Sequence, residues 1–320
     1  MNPIRPIASI RPFGHVAGLL CAIAALVGFF GFFAKNFLST TTLLTIANSI
    51  PDITVIAVGM TLVLIAGGID LSVGSVMALA ASLLGLLMVD AKSPLWLAAL
   101  GAILLGACCG GLNGWISAYF RIPAFIVTLG MLEIARGGAY LLTNSTTKYV
   151  GSSLGWFSDP IAGLGVSVSF LIAIGIVILG QWVLHKTVLG RTAVAIGTNA
   201  ESVRMAGVRT TPPLVYLYAI CGGLCGLAAM MQSSRLSTVD PNSGIGIELS
   251  AIAACVIGGT SLRGGQGSVL RTFIGVLIIS ILQTGLAQMG ATDPIKRVVT
   301  GSVIILAVLL DSLRKRSADR

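Results

Sequence analysis

The chain has 320 residues, of which 55% are hydrophobic and only 10% charged, with a mean hydropathy of +0.97. Soluble domains carry about 25% charged residues, so a water-facing surface cannot be built from this composition and a soluble globular enzyme is excluded. The formal net charge of +9 is spread between apolar segments and forms no basic stripe, which excludes nucleic acid as a partner and leaves the charges to set orientation in a membrane.

At roughly 20 apolar residues per crossing, the chain has room for about ten spans. Arg5 and Arg11 precede an apolar run over 14–34. That run is too long for the apolar core of a signal peptide and has no small-residue cleavage site after it, so it reads as a retained first span. Further spans are predicted at 43–66, 71–89, 95–119, 123–143, 166–184, 214–232, 248–257, 269–289 and 295–310. Two are irregular. The second holds Pro51 and Asp52 after Asn48, and the eighth is short, so broken or half helices are expected near 48–52 and 248–258. Such breaks are tolerated at membrane depth only where they are buried in protein or line a cavity. The expected fold is all-α, a polytopic membrane helix bundle forming a single transmembrane domain over 1–320.

With both termini in the cytoplasm, thirteen Lys and Arg residues fall inside and six outside, Arg136 lying within a span. The positive-inside rule favours that orientation. An internal echo, GGIDLSVGSV at 67–76 against GGTSLRGGQGSV at 258–269, places both copies on one side of the membrane.

No G-x-x-x-x-G-K-[ST], H-E-x-x-H or G-x-S-x-G motif is present, so neither an ATPase site nor a hydrolase site is expected. Six cysteines lie in apolar stretches; Cys221 and Cys225 share a helix face, but no His is near them, and buried thiols of this kind pack as small hydrophobes. Glycines recurring every four residues (Gly106, Gly110 and Gly114; Gly222 and Gly226) predict closely approaching helices.

The largest loop between spans runs over 185–212. Within it Thr198, Asn199, Ala200 and Glu201 fit a capping box, and Gly207 is a natural stop. They bound a two-turn helix that presents Val203, Met205 and Ala206, with Glu201 and Arg204 beside them. A helix so short is marginal alone, so it either docks on a partner or lies on its own bundle. In GGIDLSVGS, Asp70 or Ser72 either caps the following helix or sits at a glycine hinge on the solute pathway. Glu133 and Arg136, one turn apart in the fifth span, either neutralise each other or leave Arg136 to anchor a neighbouring break. Asn48, Asp52, Asn113 and Glu248 are further polar groups at membrane depth that suit a pathway for hydroxyl-rich solutes, or equally the joining of helices.

VGMTLVLIAGGIDLSVGSVMALA (58–80), IPAFIVTLGMLEIARG (122–137), HKTVLGRTAVAIGTNAESVRMAGV (185–208) and RLSTVDPNSGIGIELSAIAACVIGGTSLRGGQGSV (235–269) resemble the permease subunits of bacterial ATP-binding-cassette importers of the ribose, xylose and galactose type. The resemblance runs from about residue 37 to the C-terminus. It implies an inner-membrane permease with no cofactor of its own, for a monosaccharide or related polyol. It also implies three kinds of partner: a second permease subunit, identical or related; a separate ATP-binding subunit, in two copies or as a fused tandem; and a periplasmic sugar-binding protein. The short helix with Asn199, Glu201, Val203, Arg204 and Met205 would then be the coupling helix. The loops 144–165 and 234–246 would face the binding protein. Glu133 departs from the apolar residue expected ahead of the arginine. The competing expectation is an ion-coupled secondary sugar transporter using Asp52, Glu133 or Glu248.

Overall fold

The computed structural model describes residues 12–318. Arg5, Arg11 and Arg320, which enter the orientation count, lie outside them. The described chain is a bundle of thirteen helices: α1 (Pro12–Phe33), α2 (Thr40–Ser49), α3 (Pro51–Ile65), α4 (Val73–Gly85), α5 (Leu95–Phe120), α6 (Ala124–Thr143), α7 (Gly155–Ser158), α8 (Val168–Lys186), α9 (Val188–Met205), α10 (Thr211–Leu236), α11 (Ile247–Ile257), α12 (Val269–Gln288) and α13 (Asp293–Ala318). Helix α4 runs on through one π-helical turn, Leu86–Asp90.

All ten predicted segments are helical, but the count of ten crossings is not reached by length and composition. Among the described residues seven helices are long and apolar enough to cross a membrane, and the bent pair α2 and α3 makes an eighth. The break in that pair sits at Ile50, bends the axis by 48° and has a direct cause: Pro51 has no amide hydrogen to continue the α2 ladder, yet suits the first turn of α3. Helix α11 has eleven residues, about 16 Å, half of the roughly 30 Å hydrocarbon layer. In α13 the apolar stretch 298–310 is bounded by Arg297 and Asp311, which leaves it short of a full crossing.

Helix α3 is the axis of the bundle, buried along every residue but Ile53. A helix apolar all round belongs in such a position. Helices α5 and α10 pack on one side with almost no side chain between them. A Cβ at Gly110 would strike the Tyr218 carbonyl, and one at Gly222 the Gly106 carbonyl, so the glycine pattern read from the sequence is a backbone-to-backbone seam. Cys221 and Cys225 are fully buried in the adjoining core.

The bundle has two distinct ends. At one, β1 (Lys148–Tyr149) pairs antiparallel with β2 (Thr238–Val239), joining the two loops that the sequence analysis treated separately, and Lys148 forms an ion pair with Asp90. At the other end lie α9 and the connections α3–α4 and α11–α12. The predicted loop over 185–212 is mostly helical here. Helix α9 fills Val188–Met205, capped at its start by the Thr187 hydroxyl, and the sequence reading missed its first half.

Candidate translocation and coupling sites

Helix α3 ends at Gly67 (φ +84°), where the Gly68 amide donates to the Val63 carbonyl at 3.0 Å and the Gly67 amide to Leu64 at 2.9 Å. This six-to-one closure needs a left-handed residue, hence glycine. The next residues are pinned from α6: the Thr128 hydroxyl donates to the Ile69 carbonyl and accepts from the Leu71 amide, both at 3.1 Å. Asp70 Oδ1 accepts from the Ser72 amide (2.9 Å) and hydroxyl (2.6 Å), and the Ser72 hydroxyl accepts from Asn113 Nδ2 of α5 at 3.0 Å. Asp70, Ser72 and Asn113 are at most 1% exposed. Neither Asp70 nor Ser72 caps the amides of α4, as one reading of the sequence had it. Ser72 holds the N-cap position with helical backbone angles and turns its hydroxyl toward Asp70. Asn113 Oδ1 and the Tyr218 hydroxyl are buried beside this turn without a partner among the described residues. The Tyr218 hydroxyl occupies the space a side chain at 68 would need.

The second irregular stretch follows β2. Val239 packs on Gly85 and Gly244 on Gly74, so the chain drops along α4 by eleven residues of helix, about 16 Å, before α11 begins. Arg136 holds this descent, donating Nη1 to the carbonyls of Pro241 and of Ser243 (2.9 Å to the latter), while the Tyr140 hydroxyl donates to Asn242 Oδ1 at 2.7 Å. Arg136 therefore anchors a break. Glu133 is not its ion partner among the described residues. Glu248, in the first turn of α11, accepts from the Gly246 amide at 3.2 Å, a favourable place for a carboxylate at a helix N-terminus. Asn242, Ile245 and Leu249 are exposed along the same stretch.

The other two polar residues at depth are occupied elsewhere. Buried Asp52 accepts from Arg235 Nη2 at 2.8 Å and from the Ile53 amide at 2.9 Å. Asn48 bridges α2 to the start of α8, donating to the Gly165 carbonyl at 3.0 Å and accepting from the Ser167 amide at 2.7 Å. The seven residues thus form three groups: Asp70, Ser72 and Asn113 together; Arg136 and Glu248 on the descent; Asn48 and Asp52 apart at the α2–α3 break. Thr128, Tyr218 and Arg235 are the residues that sequence reasoning missed, since nothing local marks a hydroxyl or guanidinium whose partner is far along the chain.

The short helix exists, with its cap shifted by one residue. Asn199 leaves helical geometry (φ −161°, ψ 96°) and breaks α9 in two. Its Oδ1 accepts from the Ser202 amide at 2.9 Å, so Asn199 is the N-cap. The Thr198 hydroxyl instead bonds back to the Val194 carbonyl. Glu201 therefore does not close a capping box. It pairs with Arg204, whose Nε lies at 3.2 Å, and this bond holds the carboxyl below its ordinary range. The helix over 200–205 ends at Gly207 (φ +80°), with Val208 N donating to the Val203 carbonyl. Met205 is 76% exposed, and Ala206 and Val208 are exposed beside it, while Val203 and Arg204 are half-buried.

No solved structure matches the chain. The ribose import permease protein of Escherichia coli (strain K12) is 39% identical over 92% of this chain and 93% of its own length. The L-arabinose ABC transporter permease protein of Azospirillum brasilense is 32% identical over 98% and 94%, and the fructose import permease protein of Rhizobium meliloti 31% over 94% and 86%. The model of the family described as "Branched-chain amino acid transport system / permease component" matches residues 42–308. A bundle with seven helices long and apolar enough to cross a membrane agrees with that match, and the chain belongs to this permease family.

Proposed function

We propose that this protein is the membrane-spanning permease subunit of an ATP-binding-cassette importer that moves a monosaccharide or related polyol across a bacterial inner membrane. The observation that carries the reading is the similarity to sugar import permeases along more than nine-tenths of the chain. In this reading the protein works as a dimer, with itself or a related permease. A periplasmic binding protein delivers the solute to the end bearing the β1–β2 ladder. A separate ATP-binding subunit docks at the opposite end, in the cytoplasm with both termini. The exposed Met205, Ala206 and Val208 on the Asn199-capped helix suit an apolar groove in that subunit, and ATP-driven closure there would shift the spans as rigid bodies. Ion coupling is less well supported: Asp52 is committed to Arg235 and Glu248 to a helix start.

Reconstitution into liposomes with the cognate ATP-binding subunit and binding protein tests this. ATP hydrolysis stimulated by binding protein and sugar, accompanied by sugar uptake, is the expected outcome. Uptake by the permease alone, driven by a proton or sodium gradient, would refute it.

A further inference from the structure

Three stretches of backbone meet just ahead of the Asn199-capped helix. Gly197 lies between the end of α3 and the α11–α12 connection: a methyl at 197 would run into the Ile65 carbonyl oxygen and stand 2.5 Å from the Gly265 amide nitrogen. A Cβ at Gly264 would stand 2.8 Å from both the Gly197 carbonyl oxygen and Gly67 Cα, and one at Gly265 2.6 Å from the Thr198 hydroxyl. The Gly265 amide donates to the Ile65 carbonyl at 2.8 Å. The two glycine-rich echoes of the sequence therefore touch each other, and both touch the residue two positions before Asn199. The echo is structural as well. Gly259 (φ +81°) closes α11 as Gly67 closes α3, with the Thr260 amide donating to the Cys255 carbonyl at 2.9 Å.

We propose that Gly197 is a positioning residue for coupling, locking the short helix and both glycine-rich breaks into one rigid unit. The inference rests on the importer reading. Side chains at a contact absorb a displacement by changing rotamer, whereas main chain against main chain has no such slack, and close-packed atoms pass strain on. A push on the helix over 200–205 is thus delivered at once to two places. Through Gly67 it reaches the Asp70–Ser72–Asn113 turn. Through Gly264 and Gly265 it reaches the end of α11, where a Cβ at Gly258 would stand 2.6 Å from the Arg271 carbonyl of α12, and so moves the half helix that begins at the Arg136-held descent.

The test is the ratio of sugar taken up to ATP hydrolysed by the assembled transporter in liposomes, for the natural chain and for Gly197→Ala. The expected result is stimulated hydrolysis largely kept, with the ratio lowered about tenfold, within the usual span of coupling effects. A merely destabilised permease loses both activities together and leaves the ratio unchanged; that outcome overturns the proposal. A second measurement stands even if Gly197→Ala fails to assemble. Nitroxide labels at Ser202→Cys and Arg263→Cys, with Cys21 and Cys108 changed to Ser, report the distance from the short helix across the joint in the otherwise natural complex. An unchanged distance on ATP binding supports a rigid unit, and a shifted one overturns it. Failure of ATP-driven uptake by the natural chain sinks the importer reading instead, and is seen without either variant.

Discussion

Two irregular stretches, the turn over 66–72 and the descent over 240–248, satisfy their freed backbone in opposite ways. The turn over 66–72 is tied down by side chains: Thr128 holds Ile69 and Leu71, Asp70 and Asn113 hold Ser72, and Asp70 and Ser72 are buried. The descent over 240–248 is open: the carbonyls of Pro241 and Ser243 rest on a single guanidinium, and Ile245 and Leu249 are 53% and 59% exposed. Irregular backbone at membrane depth persists only when buried in protein or facing a water-filled cavity. The first stretch has its polar side chains buried in protein, whereas the second leaves Ile245 and Leu249 uncovered in the single chain, so the descent is the place to look for contact with solute or with a second subunit.

The largest effect is expected at the turn over 66–72. Asp70→Ala leaves the Ser72 amide and hydroxyl without their acceptor in a buried site, a loss of about 3 kcal/mol, read as an earlier thermal transition of the detergent-solubilised permease. A variant melting like the natural chain would break the comparison, because the turn would then not depend on its own side chain. Arg136→Met removes the donor to two carbonyls of the descent and costs about 2 kcal/mol. Its sugar uptake should fall by more than its melting temperature suggests, since the open stretch can rehydrate where the buried Ser72 site cannot. Smallest of all, Ile245→Cys should change stability by no more than about 0.5 kcal/mol. With Cys21 and Cys108 changed to Ser, it should react with a membrane-impermeant thiol reagent, while Ser72→Cys in the same background stays unmodified. Equal reactivity at the two positions would erase the distinction between the two stretches.

Much of the bundle was legible in the sequence because hydropathy alone marks long apolar helices, and because Pro51 and Gly207 act within one turn of where they stand. The short helix was found with its cap displaced, since Thr198 and Asn199 are both capable N-caps and only the backbone angles choose between them. The first half of α9 was missed for a different reason. Arg191, Thr192 and Thr198 interrupt its apolar pattern, so it reads as loop. Arg136 was recognised as a costly charge needing a partner, but Pro241 and Ser243 lie over a hundred residues away and offer carbonyls, which every residue has. The joint at Gly197 was invisible for the same reason: Gly67, Gly197 and Gly264 stand far apart in the sequence, and only folding brings them together.

Helix α11 also constrains how the protein is made. Its eleven residues are about half the number needed to be recognised as a span during insertion, and Glu248 at its head adds to the cost of placing it in lipid. It cannot halt the growing chain unaided. Its packing partners α3, α4 and α12 must be in place first, and α11 then folds against them and α13. Placing α11 in the membrane is therefore a matter of packing against its neighbours rather than of its own hydropathy.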